Sequence, residues 1–92
     1  MQQESAEVIG LKVLAWLAAE EEIFPVFLGA SGITAEELIA RASEVEILSA
    51  VLDFLTMDDE WVKACCQATG LDPHEPMRAR QALPGGAQIH WT

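Results

Sequence analysis

Apolar side chains recur at helical spacing along most of the chain, and no segment alternates for long enough to indicate a strand. The first periodic segment follows Ser5, a residue type that often caps helices, and continues to about Ala19. Its apolar stripe is broad, which predicts a helix that packs on more than one side. Gly10 lies within this helix, and a glycine there is typical of a site where another helix approaches closely.

A second, short helix is predicted after an acidic corner at residues 20–22. Pro25 suits the first turn of this helix, because a missing N–H matters least there. Apolar residues lie on nearly every side of the helix. We expect it to end at Gly29 or Gly32, and Gly32 is the better candidate because a glycine recurs at the matching place later in the chain.

The third and fourth helices are each predicted to begin at a capping box, the first at residues 34–37 and the second at residues 43–46. The fourth helix continues to about Met57. Asp58 is the expected cap of a fifth helix, which Gly70 closes.

The last helix has two plausible starts. Either Asp72 is its cap, or the start slips to Glu75 as cap with Pro76 as the first helical residue. The helix then continues to about Leu83 and stops at the Pro-Gly-Gly run of residues 84–86.

The chain also contains an internal repeat, in which residues 13–37 align with residues 51–75 at an offset of 38. The clearest agreement is between the two glycine stops and the capping boxes that follow them, because these are independent signals. We predict an all-α fold, a compact bundle of five or six short helices, with two related halves about a pseudo-twofold axis. Trp16 and Phe54 would be equivalent central residues.

The length and charge of the chain limit the number of domains and the kinds of partner that it can bind. The 92 residues are expected to form a single helical domain at residues 1–86 and a C-terminal tail at residues 87–92. Fifteen acidic residues against five basic ones give a net charge of −10, which argues against binding to nucleic acids or anionic membranes. The charge serves solubility, attracts a basic partner, or mimics nucleic acid if the acids form one spaced stripe.

Targeting signals are not evident. The start of the chain lacks the basic and apolar regions of a signal peptide, and no apolar run approaches the ~18 residues of a membrane span. Cys65 and Cys66 are adjacent, and neighbours in one helix point about 100° apart, so a disulfide between them would distort the backbone. These features predict a cytoplasmic protein. We also expect a monomer or a weak homodimer.

Four short segments resemble a known family. They are the Ala-Trp-Leu-Ala of the first helix, residues 51–55, the Ala-Thr-Gly-Leu-Asp-Pro of residues 68–73, and the Ala-Leu-Pro-Gly-Gly of residues 82–86. Together they are similar to the DUF3572 family of small bacterial proteins of unknown function, found mainly in alphaproteobacteria. The resemblance implies a cytosolic protein of about this length, and it brings no activity, cofactor or catalytic residue.

No residue set has the pattern of a catalytic or metal site. A nucleophilic cysteine needs a base within reach, whereas Cys65 and Cys66 lie in an apolar helix face and the histidines, His74 and His90, lie in a loop and in the tail. Adjacent cysteines also lack the spacing of zinc ligands. We therefore predict core packing for both cysteines, a protein that is not an enzyme, and neither a cofactor nor a metal.

The remaining candidates for function are apolar residues of the second helix and residues of the tail. They are Phe24, Phe27, Leu28, Ile33, Ile89, His90 and Trp91. Plainer interpretations are core packing for the helix and a solvated chain end for the tail. The sequence favours a small protein-interaction module, or adaptor, that binds a basic or amphipathic partner. The alternative is a small-molecule binder or minor enzyme with a cavity between the halves near Trp16 and Phe54, to which Cys65 or Cys66 contributes.

Overall fold

The structure, a computed structural model, describes residues 1–84, and that part of the chain contains six α-helices and no strand. The helices are α1 (Gln3–Ala18), α2 (Ile23–Ser31), α3 (Ala35–Ala40), α4 (Val45–Leu55), α5 (Asp59–Thr69) and α6 (Glu75–Ala82). The predicted all-α bundle is therefore confirmed. The predicted tail lies outside the described residues.

Capping residues and glycines set several helix ends as the sequence predicts. Thr34 Oγ1 accepts a hydrogen bond from the N–H of Glu37 at 3.1 Å, and the Glu37 carboxylate accepts one from the N–H of Thr34 at 3.3 Å. Asp58 accepts from the N–H groups of the first turn of α5. Gly32 and Gly70 end α2 and α5 in the left-handed conformation, with φ of 74° and 79°.

Three predicted helix starts are wrong. Helix α1 begins before Ser5, with Gln2 as its cap, and α4 begins after Glu44 rather than at a box formed by Ser43. No side chain caps α4, and the Glu44 carboxylate accepts a hydrogen bond from Arg41 Nε at 2.9 Å. Helix α6 begins at Glu75 with His74 as its cap, between the two predicted starts, which places Pro76 at the second helical position. The hydrogen bonds expected of Asp72 still form: its carboxylate accepts from the N–H of His74, and its own N–H donates to the Glu75 carboxylate, both at 2.8 Å.

Helix α1 lies at the centre of the bundle, where it packs against α4 and α6 and, over a smaller area, against α5 and α2. This arrangement confirms that its apolar stripe is covered on more than one side. The close approach at Gly10 is also confirmed, since a Cβ atom on this residue would lie 3.1 Å from Leu48 Cβ in α4. The core continues through the buried apolar face of α4, which includes Val51, Leu52 and Leu55.

The two predicted copies of the internal repeat have some local hydrogen bonds in common. Ser31 Oγ accepts from the N–H of Ile33 at 3.2 Å, and the equivalent Thr69 Oγ1 accepts from the N–H of Leu71 at 3.4 Å. The glycine N–H that follows each hydroxyl donates to the carbonyl four residues earlier.

Tertiary packing of the two copies differs. Helix α6 packs extensively against α1 and α4, whereas its counterpart α3 makes sparse contacts with the other helices. Phe54 is buried, while the matching Trp16 is half-buried. The pseudo-twofold arrangement of the halves stays a prediction.

Candidate functional site

The described residues of the predicted partner surface divide into two groups. Phe27 is only 1% exposed, and its ring meets that of Phe54 edge-on at 5.2 Å, so it belongs to the core and offers no surface to a partner. The helix that carries it is apolar nearly all round, and α4 covers the side on which Phe27 lies. Phe24, Leu28 and Ile33 are half-buried at the edge of the core. The other three predicted residues, Ile89, His90 and Trp91, lie outside the described residues.

Phe24 lines a groove that the carboxyl half of α1 forms with the start of α2 and with α3. We name this surface the α1–α3 groove. Its volume is about 310 Å³, and it is lined by Leu14, Ala18, Phe24, Ala35, Leu38, Ile39 and Ala42. Every one of these side chains is apolar, and Ile39 is 80% exposed on the α3 side. The side chains that line this groove offer no polar group to orient a reacting substrate.

Acidic residues flank the α1–α3 groove at two places. The loop at residues 20–22, which joins the α1 and α2 walls, consists of three glutamates. Glu36 and Glu37 lie in the first turn of α3 beside the groove residue Ala35. The nearest basic residue along the chain, Arg41, is already bound to Glu44, which holds the pKa of its guanidinium above the usual range. The electrostatic surroundings of the groove are therefore negative.

A second groove lies between α2 and α4. This α2–α4 groove has a volume of about 190 Å³ and is lined by Phe27, Ala30, Ser31, Ala50, Asp53, Phe54 and Met57. On its inner side, Phe54 stacks on Trp61 with 4.6 Å between the ring centroids. The sequence predicted a cavity near Trp16 and Phe54 with a cysteine in its wall. Phe54 lines this groove, but Trp16, Cys65 and Cys66 do not.

Both cysteines are core residues, as predicted. Cys65 and Cys66 are buried in α5 and form no disulfide. Burial raises the pKa of the Cys65 thiol to about 11, and the neighbouring Cys66 adds to the effect. Burial is also the main cause that raises the pKa of the Cys66 thiol, and the negative charges of Asp72 and Glu75 raise it further. Thiols with raised pKa values are poor nucleophiles at neutral pH, because the thiolate is the reactive form.

His74, the histidine that the structure describes, lies at a third cleft, between the start of α6 and the α4–α5 corner. The cleft has a volume of about 280 Å³, and its wall includes Asp59, His74 and Arg78. His74 Nδ1 lies 3.3 Å from the Asp72 carboxylate. Within residues 1–84, no three side chains of His, Cys, Asp or Glu are grouped closely enough to hold a metal ion.

Comparison with known proteins decides the family. A model described as a protein of unknown function, DUF3572, matches residues 3–86, which is nearly the whole chain. The chain belongs to the DUF3572 family. No curated protein and no solved structure matches this DUF3572 chain significantly. None of the helices in the described part of the protein is long and apolar enough to cross a membrane.

The structure also reveals residues of this DUF3572 protein that sequence reasoning missed. Helix α3 has only six residues and makes sparse contacts with the other helices, so it buries only one of its adjacent apolar residues Leu38 and Ile39. Leu38 is buried, and Ile39 is exposed at the rim of the α1–α3 groove. The adjacent apolar residues Leu38 and Ile39 were therefore the sequence feature from which this site could have been predicted. The ion pair between Asp53 and Arg80 joins α4 to α6 across 27 residues, so it cannot be predicted from a local sequence pattern.

Proposed function

We propose that this DUF3572 protein is a small, non-enzymatic interaction module of the cytoplasm, and that its α1–α3 groove binds an amphipathic helix. The partner helix would place its apolar stripe in the groove and basic side chains next to the flanking glutamates. The observation that carries the proposal is a wholly apolar groove with Ile39 80% exposed at its rim, in a chain with a net charge of −10.

Burial of apolar surface would supply most of the binding free energy. A large apolar side chain that becomes fully buried contributes about 1.5–3 kcal/mol. Ile39 in α3 and the half-buried Phe24 in α2 both line the groove, so a helix lying in it would cover both. Grooves that receive amphipathic helices are built in this way, with apolar side chains of the partner at the i, i+3, i+4 and i+7 positions.

Charge would select the partner and accelerate the encounter. The glutamates at residues 20–22 and at Glu36 and Glu37 give the groove a negative rim, which attracts basic helices and repels acidic ones. Such rim charges affect association rate and specificity more than affinity, and salt screens them over about 8–10 Å. The same negative field disfavours nucleic acids and anionic membranes as partners.

A small-molecule site is the alternative, and the geometry favours it less. Ligand sites usually offer about 300–1,000 Å³ together with a few convergent polar groups. The α1–α3 groove reaches this volume but is lined by apolar side chains alone. The α2–α4 groove includes Ser31 and Asp53, but its volume is about 190 Å³.

Binding of two synthetic helical peptides tests the proposal. Both carry leucines at the i, i+3, i+4 and i+7 positions, and their remaining positions are lysine in one peptide and glutamate in the other. We expect the lysine peptide to bind and the glutamate peptide not to bind, with affinity measured by titration calorimetry. Ile39→Glu should weaken binding of the lysine peptide about tenfold, which corresponds to about 1.4 kcal/mol.

Met77→Glu is the matched control. Met77 lies 38 residues after Ile39, just beyond the second copy of the predicted repeat; it is also exposed, and it lies in a different cleft. Both substitutions add the same negative charge, so nonspecific attraction of a basic peptide would strengthen binding equally in the two variants. Weaker binding to the Ile39 variant alone would support the groove. Equal affinities for the two variants, or equal binding of the two peptides, would refute the proposal.

A further inference from the structure

The third cleft, between the start of α6 and the α4–α5 corner, is lined by charged side chains of both signs. Its volume of about 280 Å³ lies close to the lower end of the range of about 300–1,000 Å³ that is usual for small-molecule sites. The cleft residues are Thr56, Asp59, Val62, Pro73, His74, Met77 and Arg78. A few polar groups beside apolar surface can orient a small ligand, so the cleft has the composition of a ligand site.

Asp59 and Arg78 carry opposite charges in the third cleft, and they do not pair with each other. Neither side chain belongs to an ion pair within residues 1–84. The carboxylate of Asp72 is engaged elsewhere, since it accepts a hydrogen bond from the N–H of His74 at 2.8 Å. A carboxylate and a guanidinium that line the same cleft are therefore both available to a ligand.

Acceptors and donors come from different elements around the cleft. The α4–α5 corner contributes the Asp59 carboxylate and the Thr56 hydroxyl. The Thr56 hydroxyl donates its own proton to the carbonyl oxygen of Leu52 at 2.9 Å, so its oxygen is left to accept. Helix α6 contributes the Arg78 guanidinium, which only donates and which matches the geometry of a carboxylate. One element thus suits an ammonium group, and the other suits a carboxylate.

Local hydrogen bonds fix the backbone on both sides of the cleft. Asp58, directly before Asp59, caps α5 by accepting from the N–H of Glu60 at 2.8 Å. At the start of α6, the N–H of Asp72 donates to the Glu75 carboxylate, also at 2.8 Å. The segments that carry the two charges are therefore ordered before a ligand arrives, which lowers the entropy cost of binding.

The combination of charges selects the class of ligand. An anion would pair with Arg78, but it would also meet Asp59 and the net charge of −10 of the chain. A cation would pair with Asp59 and meet Arg78. A zwitterion pairs with both, and it has no net charge for the field of the protein to repel. Val62 and Met77 line the same cleft and offer apolar surface to an aliphatic side chain.

We propose that the third cleft binds a free α-amino acid with an aliphatic side chain. The carboxylate of the ligand pairs with Arg78, and its ammonium group pairs with Asp59 and donates to Thr56 Oγ1. Its side chain packs on Val62 and Met77. This site is separate from the α1–α3 groove, so the molecule has a ligand site in addition to the partner groove, and the inference does not rest on the proposed partner helix.

Titration of the full chain with L-leucine, followed by methyl NMR, tests the inference. We expect the methyl resonances of Val62 and Met77 to shift along one saturable curve, while those of Ile39, in the α1–α3 groove, stay unchanged. Isopentylamine lacks the carboxylate of leucine, and 4-methylpentanoate lacks its ammonium group, so each should bind about tenfold more weakly. The absence of a saturable shift, a shift centred on Ile39, or equal affinity for leucine and either analogue would overturn the inference.

Two substitutions assign each charge of the ligand to its partner. Arg78→Met should weaken leucine binding about tenfold and remove the preference for leucine over isopentylamine, because the carboxylate has lost its partner. Asp59→Asn should likewise remove the preference for leucine over 4-methylpentanoate. Glu60→Gln is the matched control, since Glu60 lies in the same first turn of α5, carries the same charge and does not line the cleft. Its affinity for leucine should be unchanged. If both preferences persist in the Arg78 and Asp59 variants, or if the control loses binding as they do, the inference is wrong.

Discussion

At the scale of the residue, Gly10 shows how a missing side chain sets the distance between two helices. A Cβ atom there would lie 3.1 Å from Leu48 Cβ, an atom that cannot move without the backbone of α4. Gly29 also lies inside a helix, but a Cβ atom on it would have nothing within 4 Å. Comparing substitutions at the two glycines therefore separates the effect of helix propensity on stability from the effect of packing.

We expect Gly29→Ala to stabilise the protein by about 0.5–1 kcal/mol, because alanine loses less backbone entropy than glycine in a helix. Gly10→Ala should give no gain or a net loss, since overpacking a closely fitted site costs about 1–3 kcal/mol. Urea unfolding followed by circular dichroism measures both values. An equal gain at the two positions would show that α1 and α4 are not closely packed at Gly10.

At the scale of the element, the starts of α5 and α4 differ in the structure, although the sequence offers a capping residue at each. The Asp58 carboxylate accepts from the N–H of Glu60 at 2.8 Å and caps α5. Ser43 and Glu46 have the spacing of a capping box, yet α4 starts after Glu44 and has no side-chain cap. A capping pattern in sequence thus indicates a helix start within a residue or two, and the hydrogen bond forms only if the backbone turn suits it.

The corresponding prediction compares the two positions. Asp58→Ala should destabilise the protein by about 1 kcal/mol through the loss of its cap hydrogen bonds, and Ser43→Ala should change stability by less than about 0.5 kcal/mol. Midpoints and slopes of urea unfolding curves provide both numbers. Comparable losses at the two sites would mean that Ser43 caps α4 in solution.

These comparisons indicate which features a sequence can specify. The glycine stops, the box at Thr34 and the cap at Asp58 depend on residues within four positions of one another, and the sequence predicts them correctly. The burial of Phe27 and the exposure of Ile39 depend on which side of a nearly all-apolar helix, or of a very short one, meets its neighbours. Periodicity cannot decide that question, so the part of the α1–α3 groove that α3 contributes was not predicted.

At the scale of the whole molecule, the pairing of Asp53 with Arg80 ties α6 to α4. The Asp53 and Arg80 side chains are partly buried, with exposures of 30% and 15%. Their opposite charges therefore compensate each other at a place with little access to water. The other ion pairs among residues 1–84 join residues at most five positions apart on the surface. Since α6 also packs on α1, this contact helps to close the bundle around its central helix.

A double-mutant cycle measures how strongly the pair contributes to closure. Asp53→Asn and Arg80→Met should each destabilise the protein by about 1–3 kcal/mol, because each leaves a partly buried charge without its partner. The double variant should lose less than the sum of the two, since it leaves neither charge behind. The exposed pair of Arg41 and Glu44 is the control, and removing it should leave the free energy of unfolding unchanged. Strict additivity at Asp53 and Arg80 would mean that apolar packing alone holds α6 in place.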